Sequence, residues 1–289
     1  MRVYNLTPQR EDSRDAKLNQ TMLGPIPMSV DLRPLCPPVF NQGELGSCTA
    51  NAGVAARMML TSVKTLLSRL FLYYKEREIE GTVSVDAGAT MRTLCKALHK
   101  YGVSSEQLWP YNIENFAEKP SLAADINAME YRILGYKAFD ENGIADYVAQ
   151  IRQYLATRHQ PVLIGVLVYE SFESEAAERT GYVPVPDTKT EKFLGGHALL
   201  IVGYDDEKQL FIVRNSWGVQ WGAMGYGFMP YEFVTRKIAF DAWVLEEHTA
   251  LIFAEHFKAT GVKELLRNFQ HLKQLRFVMI QLSTGYFQR

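Results

Sequence analysis

Cysteine is scarce in this sequence: three in 289 residues, Cys36, Cys48 and Cys95. A small extracellular scaffold stapled by disulfides carries more, in even number, so that class is excluded. One bridge at most is available and nothing in the sequence pairs two of the three. The other reading is that Cys36 and Cys95 are buried reduced thiols. An excess of charge is lacking too, with 31 basic residues against 32 acidic ones and a formal net charge of -1. No global field therefore favours nucleic acid or an anionic membrane. Long apolar runs are absent; Leu199-Leu200-Ile201-Val202 is typical and far too short to span a bilayer. The start, Met1-Arg2-Val3-Tyr4-Asn5-Leu6, turns polar without the apolar stretch of a signal peptide. The expected location is the cytoplasm, or outside the cell by a route that leaves no N-terminal signal. No His-Glu-x-x-His and no paired-cysteine spacing occurs, so neither a metal nor another cofactor is expected.

What is present is the composition of a folded protein. Hydrophobic residues make up 47% and charged residues 22%. The length suits one large domain or two lobes sharing a core. Residues 1–29 are polar, broken by Pro8, Pro25 and Pro27, and form an expected extended arm. Gln42-Gly43-Glu44-Leu45-Gly46-Ser47 is a glycine-punctuated loop. From Cys48 to about Leu70 apolar residues recur at three- and four-residue steps (Ala52, Ala55, Ala56, Met59, Leu60, Val63, Leu66, Leu67), which predicts a helix with Ser47 or Cys48 at its start. A short helical piece follows to Tyr74. Further helices are predicted over 90–101 and 143–158, the latter stopped by Pro161. Strands are predicted at Val162–Val168, Ala198–Tyr204, Leu210–Asn215 and Phe240–Val244, the middle two as a hairpin. Residues 170–193 are charged and suggest a long surface loop. Helices early and strands late argue an α+β fold. Residues 30–245 form the expected core domain and 246–289 a C-terminal helical extension, either packed on that domain or offered to a partner or membrane surface.

Cys48 is the residue of most chemical interest. A thiol is a nucleophile only as thiolate, and a helix N-terminus favours the anion. A histidine brought close by the fold could share its proton. His197 suits this role: it follows Gly195-Gly196, which clear side chains from beside the imidazole, and opens a predicted strand. Asn215, at the end of the paired strand, falls where it can hold the other ring nitrogen. Trp217 then stands where it could shield that bond from water. Gln42 precedes Cys48 by six residues; its amide and the Cys48 N–H could serve an oxyanion, or Gln42 is an ordinary turn residue.

Three blocks in order, Asn41-Gln42-Gly43…Gly46-Ser47-Cys48, Gly196-His197-Ala198 and Asn215-Ser216-Trp217-Gly218-Val219-Gln220-Trp221-Gly222, resemble the papain family of cysteine peptidases. The likeness runs from about Val30 to Leu245. It implies a helical left lobe and a β-rich right lobe with the active site in the cleft between them. It also implies Gln42 in the oxyanion hole and peptide-bond hydrolysis through a Cys-His ion pair and an acyl-enzyme, by an endopeptidase acting on peptide or protein substrates. Gly88 falls where the family aligns the substrate backbone. Two departures stand out. Many members have a disulfide-bonded cysteine three residues before the nucleophile, and here that residue is Leu45. The aromatic that often follows the nucleophile is Thr49, which is expected to change the cleft wall. The N-terminal arm is expected either to regulate access to the cleft or to brace the lobes. An acyl transferase or peptide ligase would use the same residues, and a non-catalytic binding homologue is the third reading.

Overall fold

Pro161 divides two kinds of local structure. Before it the computed structural model is largely helical, and after it the chain is mostly strand. Residues 2–18, 24–61, 64–140 and 146–247 are described, and residues up to Glu247 form one compact unit. The predicted C-terminal extension lies, from His248 onward, outside the described residues. Its expected first residue, Glu246, is the last residue of a strand.

The helical half holds α1 (Cys48–Thr61), α2 (Arg69–Glu80), α3 (Met91–Lys100) and α4 (Leu122–Ala128). The single helix expected from Cys48 to about Leu70 is thus two elements. Ser68 caps α2 by accepting from the Phe71 N–H at 3.0 Å, which makes it a start signal inside an apolar run. Gly81, at φ 73°, ends α2. On α1 the small residues Ala52, Gly53, Ala55 and Ala56 admit close neighbours; a Cβ on Gly53 would lie 2.2 Å from Leu94 Cδ1 of α3. Helix α4 has no counterpart in the expected elements.

The rest is a seven-stranded sheet with α5 (Tyr147–Arg158), α6 (Glu175–Thr180) and α7 (Glu232–Thr235). Its strands are β1 (Ser29–Asp31), β2 (Gly135–Ala138), β3 (Val162–Tyr169), β4 (Phe193–Asp205), β5 (Leu210–Arg214), β6 (Tyr226–Pro230) and β7 (Ala239–Glu246). The order is β2-β7-β3-β4-β5-β6, with β1 on β4, and every pairing is antiparallel. Strands β3 and β4 are buried along most of their length, as continuous apolar runs predict. The charged stretch 170–193 is not a plain loop. It contains α6 and buries Phe172, Ala177 and Val183 on the sheet half. α1 packs against β4, and that seam brings the helical and sheet halves together. This is the expected α+β architecture in two lobes.

Candidate active site

Cys48 is the first residue of α1, and its own N–H and that of Thr49 favour a thiolate there. Its thiol lies against the backbone N–H of Ala198, the residue after His197. His197 is set in β4 by register: Val166 of β3 faces it and Gly165 faces Ala198. Across β4, Arg214 pairs with Leu200, so Asn215 emerges beside the imidazole.

The Asn215 amide is oriented by the backbone. Its Oδ1 accepts from the Ser216 N–H at 2.8 Å and also lies 2.8 Å from His197 Nε2. An oxygen accepts, so Nε2 carries the proton. In the neutral ring Nδ1 then holds a lone pair, and Nδ1 is buried with no hydrogen-bond partner among the described residues. Trp217 stacks on the imidazole with centroids 4.9 Å apart and planes at 26°, covering the Asn215 bond.

Gln42 reaches the same seam because two loops pair. Asn41 bridges Trp217, and the Gln42 N–H donates to Ser216 O at 2.9 Å. Its side chain accepts from Ser216 Oγ at 2.6 Å and donates through Nε2 to Leu45 O at 3.0 Å. Gln42 is therefore a buried, doubly tied residue and not a surface turn residue. Thr49 departs from expectation: it is fully buried and its hydroxyl donates to Glu76 Oε2 at 2.7 Å. It faces the interior of the helical half and forms no cleft wall.

The cleft is occupied by the chain's own N-terminal arm. The Arg2 guanidinium lies 4.2 Å over the Trp217 ring and pairs with Glu178 at 2.7 Å. The Tyr4 hydroxyl donates to Glu173 and its ring meets His197 edge-on, with centroids 6.0 Å apart. Asn5 bridges Gly196 and donates through Nδ2 to Asp86 O at 2.7 Å. A Cβ on Gly88 would fall 2.7 Å from the Asn5 carbonyl oxygen, and one on Gly196 would fall 2.0 Å from that of Leu6. Both glycines thus serve a close backbone approach. The Leu6 side chain is buried beside Gly165 and Phe240. Beyond it Gln9 binds Asp241 and Arg92, and Asp15 pairs with Arg92 at 2.6 Å.

Burial sets the electrostatics of the pair. Cys48 and His197 are both buried. Burial pushes the thiol up to about 12 and holds the imidazole down at about 4, so both rest uncharged. Among the described residues no cluster of three metal-ligating side chains occurs, and no helix is long and apolar enough to cross a membrane.

Sequence reasoning had assembled Cys48, His197, Asn215, Gln42, Gly88, Gly196 and Trp217, and the fold brings all seven to one cleft. It did not single out Ser216, which fixes the Asn215 amide; the arm was expected along or near the cleft from about Tyr4 to Pro27, but not which of its residues, Arg2, Tyr4, Asn5 and Leu6, make the contacts. The clearest available signal for the arm was Leu6, an apolar residue in a polar stretch.

Residues 26–239 match the papain family of cysteine proteases. An uncharacterized peptidase C1-like protein of Acanthamoeba polyphaga mimivirus is 38% identical over 220 residues, 73% of this chain and 70% of the viral protein. Peptidase 1 of Psoroptes ovis is 30% identical over 76% of this chain and 66% of its own length. The crystal structure of xylellain, a cysteine protease from Xylella fastidiosa, superposes with a TM-score of 0.76 at 35% identity, covering 85% of this chain and 96% of xylellain. The chain belongs to the papain family of cysteine proteases.

Proposed function

We propose that this cysteine peptidase is an endopeptidase working through Cys48, His197 and Asn215, with its N-terminal arm as an intramolecular cover. The observation that carries the reading is the His197 Nε2–Asn215 Oδ1 contact of 2.8 Å, which leaves Nδ1 as the nitrogen free to act as base on the Cys48 thiol, itself held at the N–H of the next residue, Ala198. Nδ1 takes the Cys48 proton, and the sulfur attacks the scissile carbonyl carbon. The resulting oxyanion is met by the Cys48 N–H and, with its second amide hydrogen, by Gln42 Nε2. As the C–N bond breaks, His197 gives its proton to the leaving amine. Water then attacks the thioester, losing a proton to His197, and releases the acid and the thiol.

Two features support internal cleavage. The cleft accepts a backbone that passes Trp217, His197 and Gly196 and continues beyond Arg92, a path that suits a segment running through the site. Gly88 and Gly196 line it from opposite sides with backbone alone. The substrate is a peptide or protein segment that displaces the arm. The ion pair forms once the arm leaves, because burial is the main force keeping thiol and imidazole neutral.

The test is hydrolysis of internally quenched peptides by the full chain, by Leu6→Asp and by Leu6→Asp with Cys48→Ser. Cleavage at internal bonds that rises in Leu6→Asp and vanishes without the thiol supports the reading. Removal of terminal residues only would overturn the endopeptidase assignment. No rise in Leu6→Asp would overturn the cover.

A further inference from the structure

Leu45 stands where many relatives begin a disulfide, and all three cysteines here are free. The loop carrying the nucleophile is nevertheless fastened. The Gly46 N–H donates to both carboxylate oxygens of Asp86, at 3.1 and 3.0 Å. The Tyr73 hydroxyl, from α2, donates to Asp86 Oδ1 and accepts from the Gly88 N–H at 3.0 Å. The Tyr73 ring is backed by the Arg77 guanidinium at 4.1 Å, which also donates to Val83 O at 2.7 Å and Val85 O at 3.3 Å. A Cβ on Gly46 would lie 3.0 Å from Asp86 Oδ1, so only glycine admits the contact without a shift.

We infer that Asp86 is a positioning residue: its carboxylate joins the loop before Cys48 to the loop of Gly88. The inference rests on the reading of the cleft as a peptidase site. One side of the clamp holds Gly46, two residues before the nucleophile, and thereby the donors for the oxyanion. The other holds Gly88, against which a substrate backbone lies. A carboxylate bonded to backbone N–H is charge-assisted and does not respond to thiol reductants. The spacing between oxyanion donors and substrate backbone is thus set without a redox-labile bond. Asn5 Nδ2 of the arm donates to the Asp86 carbonyl oxygen at 2.7 Å, a backbone contact that replacing the Asp86 side chain leaves in place.

The experiment compares the full chain with Asp86→Ala, Asp86→Asn and Tyr73→Phe by amide hydrogen exchange, peptide turnover and Cys48 alkylation by iodoacetamide. Alkylation needs a thiolate but neither an oxyanion hole nor an aligned backbone. Asp86→Ala is expected to speed exchange at Gly46 and Gly88 at least about tenfold, with α3 unchanged. It should lower kcat/KM about 10- to 100-fold, as small misplacements do, and leave alkylation within about threefold. Tyr73→Phe should release Gly88 alone and raise KM more than it lowers kcat. Unchanged exchange at both glycines in Asp86→Ala would overturn the inference, as would alkylation that falls in step with turnover. If Asp86→Ala does not fold, Asp86→Asn, which removes the charge and the second acceptor oxygen that Gly46 N–H uses, and Tyr73→Phe carry the test. Expected exchange changes with no turnover even in Leu6→Asp, where the arm is released, would leave the clamp standing and sink the peptidase reading.

Discussion

The Leu6 N–H donates to the Gly196 carbonyl at 3.2 Å, one residue before His197, while the Leu6 side chain is almost wholly buried. The arm is anchored beside His197 by a backbone bond and an apolar plug together. Leu6→Asp would bury an unpaired carboxylate, which costs several kcal/mol. The expected result is arm release, read as at least about a tenfold faster alkylation of Cys48 at neutral pH.

The covered site is expected to loosen in acid. His197 is held at about 4 under the arm, against an ordinary 6.5, so the covered form takes up no proton there until pH nears 4. An uncovered histidine takes it up at higher pH. Lowering the pH from 7 to 4 therefore favours the open form. At the alkaline end the thiol, pushed from 9 up to about 12, favours opening above pH 9. Limited proteolysis of the arm across pH 4 to 10 checks this. Resistance should be greatest near neutrality, and a flat profile would contradict it.

Gly196→Ala separates access from alignment. Its methyl would fall 2.0 Å from the Leu6 carbonyl oxygen, and a substrate backbone on the same path meets the same obstacle. Cys48 alkylation should rise while peptide turnover falls. A joint rise would mean that substrates avoid Gly196.

Much of this site was legible because its chemistry depends on residue types at fixed places. Cys48 announced itself by opening a helix after a glycine loop, and His197 by the two glycines before it. Asn215 followed from the hairpin register. What stayed hidden is set by tertiary contact. Periodicity ran α1 and α2 together because Leu66 and Leu67 kept the helical spacing across the break. α4 and α6 are too short to build a strong pattern. The arm's course depends on a cleft built from residues far away in sequence, from Asp86 to Phe240. Thr49 was assigned to the cleft wall, but its partner Glu76 lies one helix later and no local pattern joins them.

Glu76 yields a stability prediction. It is fully buried, and burial raises its carboxyl well above the ordinary value despite the Thr49 bond. A raised carboxyl stabilises the fold while it stays protonated. That contribution is complete below the unfolded value near 4.5 and is lost as pH rises toward the folded one. Glu76→Gln keeps an acceptor for Thr49 without titrating. Its urea midpoint should depend less on pH above 5 than that of the wild type, and parallel curves would exclude Glu76 as a titrating group.

Asn215→Ala should lower kcat at least about tenfold, because His197 loses the acceptor that fixes its tautomer. Asn215→Gln is expected to recover little, since Oδ1 is pinned at 2.8 Å by the Ser216 N–H. Full activity in Asn215→Ala would show that Trp217 stacking alone orients the ring.

The most direct measurement maps which cysteine a limiting amount of iodoacetamide labels at about pH 5.5, in the full chain, in Leu6→Asp and in Leu6→Asp with His197→Ala. Ordinary thiols are protonated there, and Cys36 and Cys95 serve as internal references. The prediction is slow labelling of Cys48 in the full chain, fast selective labelling in Leu6→Asp, and loss of that selectivity without His197. Cys48 reacting no faster than the other two in Leu6→Asp would contradict an activated Cys48–His197 pair beneath the arm.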